Sequence, residues 1–168
     1  MKTRYWEPIL CMKSIRLIWI GKTQEPFVQD GISVYLKKLS HYIKVDSEEI
    51  RPAKYGSGTV DQWRRQETEN LLKRLHSTDL NIFLDKKGKR QTSKGLAQWL
   101  EKQMPLGWPR VSFFIGGAYG FDRSMLPSGV HFLCLSDMTF THQMVRLFFL
   151  EQLYRAFTIM RGEPYHHD

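Results

Sequence analysis

The chain reads as an α/β protein, with a mainly parallel sheet and helices on both faces. Three observations carry that reading. Short apolar runs alternate along the chain with longer segments of helical period. The runs, such as IRLIWI at 15–20 and VSFFI at 111–115, are apolar on both alternating faces but for Arg16 and Ser112. That is the pattern of strands buried on both faces, not of half-exposed antiparallel strands. Finally, 168 residues with 42% hydrophobic content are enough for one domain with a real core.

The elements follow in order. Met12 opens MKSIRLIWIGK, a natural first strand at 15–20 that stops at Gly21. Residues 1–11 carry no period and read as an extension outside the fold, so that 12–168 forms a single domain. Phe27, Ile32, Tyr35, Leu36 and Leu39 recur at helical spacing and predict a helix over 25–41. A short strand is expected at 42–50, and the two glycines of PAKYGSGT make 52–59 a mobile loop. Asp61 is placed to cap a polar helix that carries Leu71, Leu72 and Leu75. An apolar strand at 80–84 leads into a basic loop, and Ser93 is placed to cap a helix over 94–103. Strands at 111–115 and 130–135 precede a long helix over 139–160. That helix carries Met144, Val145, Leu147, Phe148, Phe149, Leu150, Leu153, Tyr154, Phe157 and Met160, which leave little polar face. Such a helix has to be buried on several sides, and in a chain this size a second subunit is the expected cover for one of them.

Composition narrows the class. No run approaches eighteen apolar residues, so no membrane-spanning helix is expected. Lys13 and Arg16 interrupt the apolar stretches of the N-terminus, which makes a poor signal peptide. Cys11 and Cys134 lack metal-ligand spacing, and free thiols suit the cytoplasm. The net charge is +8, of which DKKGKRQTSK at 85–94 supplies half, with five basic residues against one acid. A concentrated basic loop suits an anionic partner such as nucleic acid, or simply a solvated turn.

Three strand ends converge on one edge of a parallel sheet, where ligands bind in open α/β folds. They are Leu84-Asp85, Gly116-Gly117-Ala118-Tyr119-Gly120, and Leu135 through Phe140. Each has a plain structural reading as well: the glycines make a tight turn, and Thr139 or Thr141 caps the long helix. Neither GxGxxG nor a Walker A sequence is present, which disfavours a nucleoside triphosphate. On the long helix, His142 and Arg146 share a face, as do Glu151 and Arg155, the latter in the order of a supporting ion pair. The chain closes on Arg161, Glu163, Tyr165, His166 and His167. Adjacent histidines point in different directions, so no metal site is expected.

The runs FFIGGAYG, LSDMTFTHQMVR and EQLYRAFTIMRGEPYH resemble the ribosomal RNA large subunit methyltransferase H family of the SPOUT superfamily, over residues 12–168. The resemblance implies a SPOUT-type α/β fold whose C-terminal part is threaded into a deep trefoil knot, a rare exception to chain topology. It implies a homodimer that binds S-adenosylmethionine and methylates N3 of a pseudouridine in a 23S rRNA hairpin of the assembled ribosome. The cofactor positions carried over are Leu84, Gly116, Leu135, Ser136, Asp137, Met138, Thr139 and Phe140, with Asp137 and Thr141 as mild departures.

The acceptor is a weakly acidic ring N–H, which must lose its proton as the methyl arrives. His142, Arg155, Tyr165 and His166 are the candidate catalytic residues. Arg155 or Arg161 would steady charge on the ring oxygen, and Tyr165 or His166 would order a base or take its proton. Lys86, Lys87, Lys89 and Arg90, with Arg64 and Arg65, are expected to hold rRNA phosphates. Two other classes compete. A non-catalytic ribosome-binding protein of the same fold would not need the reactive tail. A flavodoxin-like domain would need a phosphate cradle after the first strand, where Gly21-Lys22-Thr23 runs instead into Gln24, Glu25 and Pro26.

Overall fold

The computed structural model describes residues 12–165, so the 1–11 extension and His166 lie outside the described residues. Five strands, β1 (Ser14–Ile20), β2 (Lys44–Ile50), β3 (Leu80–Arg90), β4 (Arg110–Ile115) and β5 (His131–Cys134), form one sheet in the order β2-β1-β4-β3-β5. Every pairing in it is parallel. The helices are α1 (Pro26–Leu39), α2 (Val60–Leu72), α3 (Ser93–Gln103) and α4 (His142–Met160).

Strand alternation divides the apolar side chains between two faces. Ile15, Leu17, Trp19, Ile82, Val111 and Phe113 pack with α1, α3 and α4. Ile18, Ile20, Phe83 and Phe114 point the other way and pack with Leu71 of α2 and with Phe121. The rings of Phe83 and Phe114 stack at 4.6 Å on that second face. Helices on both faces are therefore found as expected.

The basic segment departs from the sequence reading. β3 does not end at Leu84; it bulges over 85–88 and resumes, so that Lys89 and Arg90 pair with Leu133 and Cys134. Exposed lysines do not prevent backbone pairing at a sheet edge, and local charge gave no sign of it. Gly88 makes the close passage possible, because a Cβ there would lie 2.6 Å from the carbonyl carbon of Leu133.

Helix caps also shift by a residue or two. Thr59, not Asp61, caps α2: its hydroxyl accepts the Gln62 N–H at 3.3 Å while the Gln62 side chain accepts the Thr59 N–H at 2.8 Å. Asp61 sits in the first turn, where its charge suits the helix dipole. Thr92 caps α3, accepting from Gly95 at 3.0 Å, and Ser93 instead donates to Gln152 on α4 at 2.6 Å. Thr141 caps α4 at 3.3 Å, which leaves Thr139 in the preceding loop.

α4 buries Phe149, Leu150, Leu153, Ala156 and Phe157 against the sheet and its neighbouring helices. Val145, Phe148, Gln152, Arg155 and Ile159 are only half-buried and recur at three- and four-residue steps, forming one stripe along the helix. Arg146 is almost fully buried and ties the helix to the end of β1, donating to the Ile20 carbonyl at 2.6 Å and to Thr23 Oγ1 at 2.7 Å. Burial pushes its pKa down to about 10.

Candidate active site

The carboxyl ends of β3, β4 and β5 enclose a cavity of about 560 Å³. That is ample for a ligand of nucleoside size. Leu84, Gly116 and all six residues from Leu135 to Phe140 line it, so the three loops singled out in the sequence do meet. Apolar walls come from Leu84, Ile115, Leu135 and Val145. Polar groups come from Asp85, Ser136 and the glycine turn, whose Gly120 N–H bonds the Gly117 carbonyl at 3.1 Å. Gly120 takes φ of 71°, a conformation that favours glycine. At Gly116 a Cβ would crowd the Gly120 backbone at 3.2 Å, so small residues here are a packing requirement as well.

His142 stands where the cavity meets a second one of about 530 Å³, lined also by Glu25, Phe27, Ala118 and Phe140. Burial, and then the neighbouring charge of Arg146, hold the His142 pKa below its ordinary value of 6.5. The imidazole is thus kept neutral near pH 7 and able to accept a proton.

Arg155 and Tyr165 are not at this cavity. Arg155 lies thirteen residues beyond His142 on the same helix, about 20 Å along its axis. It forms the expected ion pair with Glu151 at 2.5 Å, and its guanidinium lies 4.9 Å from the centre of the Tyr165 ring. The Tyr165 hydroxyl is 3.2 Å from Glu151 and 3.4 Å from the Tyr35 hydroxyl. Burial, followed by these neighbours, raises the phenol pKa well above its usual value. Arg161 sits over the Tyr42 ring at 4.4 Å, in the same cluster. One chain therefore presents two separate groups: His142 with the cofactor-type loops, and an Arg155–Glu151–Tyr165 cluster at the far end of α4.

The basic residues divide likewise. Lys86, Lys87 and Arg64 line the rim of the cavity. Arg64 pairs with Asp61 at 2.6 Å, Arg90 pairs with Asp137 at 2.7 Å, and Arg65 faces Asp122 at 3.7 Å. Lys89 is exposed on the resumed part of β3. Sequence reasoning marked the glycine turn that carries Tyr119 without giving that ring a role, and missed Arg123 as a cavity residue. Tyr119 carried a signal, being a large ring between glycines in a loop without an apolar face. Arg123 carried none, since its place depends on the ion pair with Asp85 at 3.4 Å. Among the described residues, no three His, Cys, Asp or Glu side chains gather as a metal-ligand set.

A parallel α/β sheet with a glycine-walled cavity at its carboxyl edge defines the class of small-ligand-binding α/β proteins. Residues 12–166 match the family described as "Predicted SPOUT methyltransferase", and the chain belongs to that family. Among curated proteins it is similar to the ribosomal RNA large subunit methyltransferase H of Geotalea daltonii, 44% identical over 91% of this chain and 99% of that one. The protein of the same name from Flavobacterium johnsoniae is 46% identical over 92% of this chain and 99% of its own. That from Halothermothrix orenii is 43% identical over 90% and 98% respectively. The family resemblance drawn from the C-terminal motifs is thereby borne out.

Proposed function

We propose that the protein methylates large-subunit ribosomal RNA, using S-adenosylmethionine, at N3 of a pseudouridine in an intersubunit hairpin of the assembled ribosome. The observation that carries the reading is the convergence of the three loops on one cavity bordered by His142. The cavity residues suit this donor: Leu84 and Leu135 offer apolar cover for an adenine, while the Gly116 backbone and the 135–140 loop offer polar contacts. Bound there, S-adenosylmethionine supplies an electrophilic methyl group on a sulfonium. The chain itself orients the donor, excludes water and handles the N3 proton. In this reading His142 receives it, and a guanidinium such as Arg155 stabilises charge developing on the ring oxygen. Lys86, Lys87 and Arg64 position the RNA backbone.

Because Arg155 and Tyr165 stand about 20 Å from His142 in one chain, the working enzyme is a homodimer in which the tail of one copy completes the cavity of the other. The half-buried Val145, Phe148 and Ile159 on α4 support that reading, since they give a second copy apolar groups to cover, with Gln152 and Arg155 between them. The tail, including His166, and a C-terminal segment knotted through the loops around β5 belong to the same proposal. Its place of work is the cytoplasm, where ribosomes are.

The test is mass spectrometry of rRNA from ribosomes of cells lacking the gene, incubated with purified protein and S-adenosylmethionine. One added methyl on a large-subunit pseudouridine is the expected result. No added methyl would overturn the function, and equal methylation of a naked hairpin would overturn the requirement for the assembled ribosome.

A further inference from the structure

We propose that Tyr55, Trp63 and Tyr119 form a stacking platform for an unpaired base of the RNA substrate, beside the transfer cavity. The inference rests on the reading of the protein as an RNA methyltransferase and adds a contact surface to it. The three rings come from separate segments: the 51–59 loop, α2 and the glycine turn. Their centroids lie 5.3, 5.9 and 5.8 Å apart, so each ring touches the other two.

The cluster is not a piece of core. Tyr55 is 48% exposed and Tyr119 42%, and neighbouring Val60 is exposed as well. Yet the rings are anchored. The Tyr55 hydroxyl donates to Glu67 Oε1 at 2.5 Å, and the Trp63 indole donates to the Ser57 carbonyl at 2.7 Å. Glu67 is fully buried and also accepts the Ala53 N–H at 3.0 Å. Its second oxygen points at Gly117, where no Cβ would fit. Glu67 thus ties down the loop that carries Tyr55 through Oε1, while Oε2 packs against the turn that carries Tyr119 without a hydrogen bond to it. Tyr55 and Trp63, held by their polar ends, and Tyr119, held by ring contact with both, lose little freedom on binding.

Charge favours RNA as the occupant. Tyr119 and Arg64 both line the transfer cavity, together with Lys86 and Lys87. Lys54 adjoins Tyr55 and Arg64 adjoins Trp63 in sequence, Arg64 being held in place by Asp61. Aromatic faces interleaved with cations are the arrangement that grips unpaired nucleotides, through stacking on the base and contact with the phosphate. An apolar protein partner would gain nothing from that surround.

The experiment compares Trp63→Leu, which keeps an apolar group but loses the ring, with Trp63→Phe, which keeps a ring. Co-sedimentation with unmethylated ribosomes and the KM for those ribosomes are measured, with calorimetry of S-adenosylmethionine as a separate readout. Trp63→Leu is expected to raise KM roughly ten-fold or more, with kcat and cofactor affinity close to wild type, and Trp63→Phe to recover most of the loss. Ultraviolet cross-linking of the wild-type protein to ribosomes is expected to leave nucleotide adducts on Trp63 or Tyr119, which keeps the test independent of any folding defect. Wild-type ribosome binding by Trp63→Leu, or adducts that avoid both rings, would overturn the platform. Wild-type protein that gives adducts on these rings but transfers no methyl would sink the methylation reading and support the platform.

Discussion

At the scale of single residues, His142 combines the most informative position with the most informative charge state. Its folded pKa lies below 6.5 because of burial and Arg146. The unfolded chain therefore binds the extra proton first as pH falls. Stability is fully present above the unfolded value and drains away as pH drops through 6.5 toward the lower folded value. Wild-type protein should lose more melting temperature between about pH 7.5 and pH 5.5 than His142→Gln, as read by calorimetry at both pH values. An equal loss in the two proteins would show that His142 is not the titrating group. His142 was legible in the sequence as a candidate because it opens a long helix just after a strand-end loop. Its neutrality was not legible, since that follows from burial next to Arg146. Arg146 itself read as a helix-surface partner for His142, whereas it turns inward to the end of β1.

At the scale of elements, the bulge in β3 sets the shape of the cavity. Leu84, Asp85, Lys86 and Lys87 reach the cavity because β3 breaks its register there and then rejoins β5. Gly88→Ala should force the two strands apart, costing about 1–3 kcal/mol of stability. It should also weaken S-adenosylmethionine binding several-fold, as measured by calorimetry and thermal melting. Unchanged melting would mean the strand can shift freely. Apolar runs revealed β1, the first part of β3, β4 and β5, whereas β2 is mostly polar, and glycine turns revealed where the cavity lies. The strand beyond the bulge was hidden because Lys89 and Arg90 carry exposed, charged side chains while their backbone pairs with β5. The caps moved for a similar reason: Thr59, Asp61, Thr92 and Ser93 are all competent caps, and one-residue differences in chain direction select among them. The aromatic trio was invisible too, because Tyr119 is far from Tyr55 and Trp63 in sequence and meets them only in the folded chain.

At the scale of the whole molecule, the separation of His142 from the Arg155–Tyr165 cluster is the governing fact. Neither of the two cavities that meet at His142 is lined by Arg155 or Tyr165. Placing a charge in the half-buried stripe, as in Phe148→Glu, is expected to convert a dimer to monomers in size-exclusion chromatography with light scattering. Methyl transfer should then fall by at least roughly a hundred-fold through lost positioning, while cofactor binding persists in part. A monomeric variant with full activity would show that each chain works alone. The sequence made the need for a cover on α4 legible, through its many apolar residues. It did not show which side of the helix is left open, because that depends on how α1 and α3 pack around it.

The nineteen residues of α4 also act as a measuring rod. One end is pinned by Arg146 to the end of β1, and the other carries Arg155 and, after a short turn, Tyr165. Inserting a single residue between them would advance the far end by only about 1.5 Å but swing it through about 100°. Many substitutions along the rod can be absorbed by repacking, whereas a change of length by one residue would turn the tail to a different quarter of the molecule. Helix length, more than helix composition, is the property of this segment with the least room to drift.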